Sequence, residues 1–134
     1  MNNEEIIEKL TLGKDLTETV TIDGVDITLR PLTSGELSKL KTIDKKGLTM
    51  KVGVSGNTKK QSVAANDIDV NAAELSKYQT EAMYTAVAWS MDISKEAVEN
   101  FAVGIPEKIF MEVSRISNLQ DTDLTILKQF RKNE

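Results

Sequence analysis

Apolar and polar positions alternate with a period of two in two short runs near the start of the chain. Val20 and Ile22 form the first run, and Val25, Ile27 and Leu29 the second. Asp23-Gly24 lies between them. A type I′ turn requires positive φ at both central residues, so Asp-Gly between two alternating runs predicts a β-hairpin over residues 18–30. Pro31 cannot donate to a ladder and marks the end of the second strand. The pattern then changes to helical spacing. Thr33 and Glu36 stand at capping-box separation, with Leu32 and Leu37 placed as the hydrophobic staple around them. Leu37, Leu40 and Ile43 continue one apolar face, which predicts a helix from about Ser34 to Ile43 or Asp44.

The rest of the chain reads mostly as helix. Asn2 or Asn3 caps a short N-terminal helix over residues 2–12, with Ile6, Ile7 and Leu10 as its stripe and Gly13 as its stop. Residues 45–70 are rich in Gly, Asn, Ser and Lys. Within them Leu48, Met50, Val52 and Val54 alternate as a strand would, and Ser55-Gly56-Asn57 reads as a turn. This stretch is expected to be a flexible excursion that becomes an edge strand against a partner. From about Ala72 to Met91, Leu75, Tyr78, Ala82, Ala86 and Trp89 recur at three-four spacing, with Trp89 expected as a core anchor. Ser94 caps a short helix over 96–102, Gly104 ends it, and Pro106 opens a helix carrying Ile109, Phe110, Val113 and Ile116. Leu124, Leu127 and Phe130 define a last helix over 122–131.

These elements predict a mostly α, α+β fold, with an N-terminal β-hairpin packed on a C-terminal bundle of about four to five helices. The chain of 134 residues is expected to form a single domain. Its parts are an N-terminal helical arm over 1–16, the hairpin and capped helix over 17–44, a flexible polar insertion over 45–70 and the helical bundle over 71–134.

Composition narrows the chemistry. The chain has no cysteine and no histidine. Disulfides, thiolate metal sites, Ser-His-acid triads and Cys-His pairs are therefore excluded. GVSGNTKK lacks the spacing of a phosphate-binding loop, and Asp67-Ile68-Asp69 lacks the glycine and distal glutamate of a calcium loop. Glu96, Glu99, Glu107 and Glu112 read as solvent faces of helices. No catalytic, cofactor or metal residues are assigned, and the chain is read as a non-enzyme. The net charge of −4 and the absence of aromatics among Lys45, Lys46, Lys51, Lys59 and Lys60 argue against nucleic acid as a partner. No apolar run is long enough to span a bilayer, and MNNEEIIEKL lacks the charge pattern of a secretory signal, so a cytoplasmic setting is expected. Charge is uneven: residues 37–77 carry eight basic and four acidic side chains, between two acidic ends. That pattern fits a solvated lysine-rich stretch or an arm that steers a partner. Arg30 ends a strand just before the capping box, where it is placed to pair with Glu36.

The run Leu29-Arg30-Pro31-Leu32-Thr33-Ser34-Gly35-Glu36 resembles the strand-to-helix motif of the phage tail assembly chaperones. These small proteins are encoded just ahead of the tape measure protein. The segment from Thr80 to Leu119 is also similar to the helical half of that family. The resemblance covers roughly residues 17–120; the stretch 45–70 has no counterpart in the family pattern, and no catalytic residues carry over. It implies a non-enzymatic assembly factor that binds the tape measure protein, keeps it soluble and assists tail tube polymerisation. It further implies action in the host cytoplasm, absence from the mature virion, and the major tail tube protein as a further candidate contact; the unpaired hairpin edge and the detachable terminal helix add a homo-oligomer as an expectation. Arg30, Thr33, Glu36, Leu48, Met50, Val52, Val54 and Trp89 are the expected structural or partner-contact residues. The alternative is a structural virion protein such as a minor tail or head-tail connector component.

Overall fold

The computed structural model describes the backbone of residues 2–57 and 61–132, and side chains at 2–11, 16–46, 76–128 and 130. The element order is α1 (Asn3–Asp15), β1 (Glu18–Ile22), β2 (Val25–Leu29), α2 (Ser34–Asn57), α3 (Gln61–Met91), α4 (Lys95–Glu99), α5 (Ile105–Ile116) and α6 (Thr125–Lys132). The fold is mostly α with one two-stranded antiparallel hairpin, as the sequence pattern predicts.

The hairpin follows from its turn. Asp23 and Gly24 both have positive φ, +49° and +83°, the geometry that matches the right-handed twist of two antiparallel strands. The register pairs Ile22 with Val25, Val20 with Ile27 and Glu18 with Leu29. One face therefore carries Val20, Ile22, Val25, Ile27 and Leu29, and the other carries Thr19, Thr21, Asp26 and Thr28. On that polar face the Thr21 hydroxyl donates to Asp26 Oδ1 at 2.7 Å. A lone hairpin is marginal in water, so its apolar face must be covered. β1 packs on α5, and Ile22 and Leu29 are buried.

The helix termini account for the short joints. Asn2 caps α1 by accepting from the Glu5 amide at 2.8 Å. Ser94 caps α4 by accepting from the Ala97 amide at 3.1 Å. α3 and α5 both close with a residue in the left-handed region, Asp92 at φ +59° and Asn118 at φ +55°. In each case the next amide reaches back across the last turn: Ile93 to the Ala88 carbonyl at 3.0 Å, and Leu119 to the Ser114 carbonyl at 2.9 Å. Those bonds satisfy carbonyls that would otherwise be orphaned at the helix end.

The chain divides into two compact units. One comprises residues 1–36 and 84–119, the other residues 37–83 and 120–134. In the first unit the core is Ile22, Leu29, Ala86, Val87, Ala88, Val98, Ile109, Phe110, Val113 and Leu119. In the second it is Leu40, Ala82, Met83, Leu124, Ile126 and Leu127. The second unit also buries Asp44, which accepts from the Thr125 amide at 3.1 Å and the Thr125 hydroxyl at 2.7 Å. Asp44 thereby caps α6 from another helix. Gln79 completes the cluster, donating to the same hydroxyl at 2.7 Å.

Several boundaries differ from the sequence pattern. α1 passes through Gly13 and ends at Asp15, because glycine inside a helix is unfavourable by about 1 kcal/mol but not forbidden. The strand expected at Leu48, Met50, Val52 and Val54 is helical: α2 runs to Asn57, and α3 starts at Gln61 rather than near Ala72. An alternating run also contains i,i+4 pairs, Leu48 with Val52 and Met50 with Val54, and these suit a helix equally well. No proline interrupts 45–70, so nothing in the sequence bars a helical backbone there. The side chains of Leu48, Met50, Val52 and Val54 lie outside the described residues, as does the backbone of residues 58–60 within the expected insertion. α4 ends at Glu99 and α6 starts at Thr125, each a little shorter than the apolar spacing suggests. Pro106 occupies the second position of α5, after Gly104 at φ +92°, where its missing N–H is still one of the first-turn orphans.

Phe110 is fully buried in the first unit. Phe110→Ala is expected to lower unfolding free energy by about 3–5 kcal/mol in urea titration. Val103→Ala, at a fully exposed position, is expected to change it by less than about 0.5 kcal/mol.

Candidate interaction surface

The corner between β2 and α2 holds a connected polar network. Arg30 and Glu36 form a two-pronged pair: Nη1 donates to Oε1 at 2.8 Å and Nη2 to Oε2 at 2.7 Å. Both side chains are mostly buried, 21% and 16% exposed. Arg30 Nη1 also donates to the Pro31 carbonyl at 3.1 Å, so the guanidinium spans the turn it closes. The capping box forms as the spacing predicts. The Thr33 amide donates to Glu36 Oε1 at 3.0 Å, and the Glu36 amide donates to Thr33 Oγ1 at 3.1 Å. Glu36 thus serves twice, as the carboxylate of the cap and as the partner of Arg30.

Two further elements tie into this corner. The Arg30 amide donates to the Ser90 carbonyl at 3.0 Å, and the Ser90 hydroxyl donates to the Arg30 carbonyl at 2.6 Å. The Leu32 amide donates to Ser117 Oγ at 2.9 Å. The corner therefore joins the end of β2, the start of α2, the end of α3 and the end of α5. Buried backbone groups need such partners, and here side chains and a neighbouring helix supply them. Ser90 and Ser117 carried no signal in the apolar spacing. A buried serine is recognisable only once the strand that passes it is placed.

The electrostatics follow from the same contacts. The Arg30 guanidinium, ahead of all other influences, lowers the Glu36 carboxyl to about 2; bonds from Thr33 add to it and partial burial opposes it. Glu36 is therefore ionised near neutrality, and the corner is a charged lock rather than a titrating site there.

Trp89 is half-buried, at the edge of the buried stripe of α3 rather than in the core. Ala82, Met83, Ala86, Val87 and Ser90 take the inward positions, and a residue next to Ser90 on the helix turns partly to solvent. Of the lysines in the positive middle, Lys46 of α2 lies over the Tyr78 ring of α3 at 5.9 Å, and Lys77 of α3 lies over the same ring at 5.7 Å, two cation–π contacts. Among the described residues, no group of acidic side chains is placed to hold a metal, and no helix is long and apolar enough to cross a membrane.

Among the described residues of the first unit, large apolar side chains are exposed on α1 and at Leu16, Val25 and Val103. α1 presents Ile7 at 64% and Leu10 at 81% exposure. A separate groove of about 310 Å³ is lined by Ile22, Val25 and Ile27 from the hairpin, Met91 from α3, Phe101 and Ala102 after α4, and Ile105 and Ile109 from α5. Its one polar lining residue is Asp23, which pairs with Lys108 Nζ at 2.7 Å. Individual residues of this groove are legible as apolar in the sequence, but their meeting depends on the hairpin lying on α5. No local pattern contains that information.

The lowered Glu36 carboxyl gives a pH dependence with a definite sign. Its folded value lies below the ordinary 4.5, so the stabilisation is present above about 4.5 and is lost as pH falls toward about 2. Wild-type protein is expected to lose on the order of 2 kcal/mol across that window, and Glu36→Gln is expected to show a flatter curve there. Urea titrations of both proteins from pH 7 to pH 2.5 check this. Parallel curves would contradict it. Thr33→Ala is expected to destabilise by about 1 kcal/mol through loss of the cap, at all pH values above that window.

Compared with known proteins, the chain matches no protein-family model, no curated sequence and no solved structure.

Proposed function

We propose that the chain is a non-enzymatic tail assembly chaperone of a phage or prophage. It binds the tape measure protein, keeps it soluble and assists polymerisation of the tail tube around it. It acts in the host cytoplasm and leaves before the virion matures. The observation that carries this reading is the Leu29–Glu36 corner. Its sequence resembles the family's strand-to-helix motif, and its Arg30, Thr33 and Glu36 side chains close into one hydrogen-bonded junction. A short motif that also has a structural reason to be spelled that way is better support than spelling alone.

The surface features are compatible with that role. A chaperone for a long helical client needs apolar surface to offer, and α1 and the groove beside the hairpin both provide it. Contacts to the tail tube subunit and to further copies of the chain belong to the same proposal; nucleic acid and membrane have no part in it. Leu48, Met50, Val52 and Val54 on α2, and Trp89 on α3, are proposed as additional contact positions.

Co-expression tests the proposal. The tape measure protein encoded beside this chain is expected to shift from the pellet to the soluble fraction when this chain is present, and to co-purify with it. Equal insolubility with and without the chain would overturn the chaperone reading. Mass spectrometry of purified particles is expected to find no copies, whereas a minor tail or connector protein would be present at fixed stoichiometry.

A further inference from the structure

The groove beside the hairpin has a shape and a charge setting that together specify an occupant. About 310 Å³ lies near the small end of ligand-site volumes, enough for one or two large apolar side chains. Small-molecule sites also carry a few convergent polar groups that fix orientation. This groove has only the Asp23 carboxylate, which is engaged by Lys108. Apolar surface continues at the mouth, since Val25 and Ala102 line the groove and are themselves exposed, Val25 at 61%. An apolar pocket continuous with exposed apolar surface suits an anchor side chain from another polypeptide better than a free metabolite.

Charge narrows the choice. The unit that contains the groove has thirteen acidic and six basic side chains, a net of −7. The other unit has eight acidic and eleven basic, a net of +3. Among the described residues, the exposed large apolar side chains on a helix are those of α1, which carries Glu4, Glu5, Glu8 and Asp15 against Lys9 and Lys14. An acidic helix entering an acidic unit is opposed by like-charge repulsion, so α1 of a second copy is the wrong occupant. A cationic helix is drawn to the same place by the field of the unit, and its apolar stripe then fills the groove.

We infer that the groove formed by Ile22, Val25, Ile27, Phe101, Ala102 and Ile105 is a docking site for a basic amphipathic helix of another protein. This assignment rests on the client-binding reading and gives it a surface. The two tests fail separately, because the one below contains no tape measure protein.

The probe is a fluorescein-labelled peptide of about 18 residues built from Leu, Lys and Ala, with Leu at helical i, i+3, i+4 and i+7 spacing. Fluorescence anisotropy with the full chain is expected to show saturable binding. The same composition in scrambled order, and a version with Glu in place of Lys, are expected to bind at least about tenfold more weakly. Ala102→Phe fills the groove from an exposed position and is expected to weaken binding about tenfold. Val25→Lys, at an exposed strand position, places a cation at the mouth and is expected to do the same should the first variant melt early. Lys108→Ala releases the Asp23 carboxylate and is expected to tighten binding about threefold, a direction that general damage would not give. Equal binding of the scrambled peptide would overturn the assignment, as would unchanged binding by both groove variants. Sedimentation showing a dimer that Ala102→Phe dissociates would also overturn it, by making a second copy the occupant.

Discussion

The Arg30–Glu36 pair is the interaction on which the first unit depends. A two-stranded hairpin cannot hold itself together, and α2 begins only a few residues after β2 ends. The direction of the chain at that corner decides where Ile22 and Leu29 are buried. The guanidinium closes the turn on Pro31 and grips the same carboxylate that caps α2. A two-pronged Arg–carboxylate pair is directional, so it sets an angle as well as an energy. Ser90 and Ser117 then fix the corner to the ends of α3 and α5.

The hairpin is also tethered along α5 by exposed charges. Asp23 pairs with Lys108 near the turn, and Glu18 pairs with Arg115, which also contacts Glu112. Glu18, followed by Glu112, holds Arg115 protonated well beyond the usual range. Exposed pairs of this kind contribute little stability, and their effect is to favour one register of hairpin on helix over its neighbours. The groove is a by-product of that placement. It lies where the hairpin tip, the end of α3 and the α4–α5 segment meet without filling the space between them.

Much of this was legible in the chain because its signals are local. Asp23-Gly24, Thr33 with Glu36, and Ser94 each specify a geometry within four residues, and each appears as expected. The helical face of α5 was equally plain, since Ile109, Phe110 and Val113 are all buried. What could not be read was non-local or ambiguous. The alternation from Leu48 to Val54 satisfies both strand and helix periods. Asp44 reads in the sequence as the end of a helix, and it caps another helix far along the chain. Trp89 reads as an anchor by size, but Ala82, Met83, Ala86, Val87 and Ser90 hold the inward side of α3. The groove required the tertiary placement of the hairpin, which no window of the sequence encodes.

Arg30 and Glu36 act as one unit that locks the strand-to-helix corner. A double-mutant cycle on Arg30→Met and Glu36→Gln, measured by urea unfolding at pH 7, tests it most directly. The expected coupling free energy is about 1.5–3 kcal/mol, as for a mostly buried charge-assisted pair. A coupling below about 0.5 kcal/mol, with the two substitutions simply adding, would contradict it.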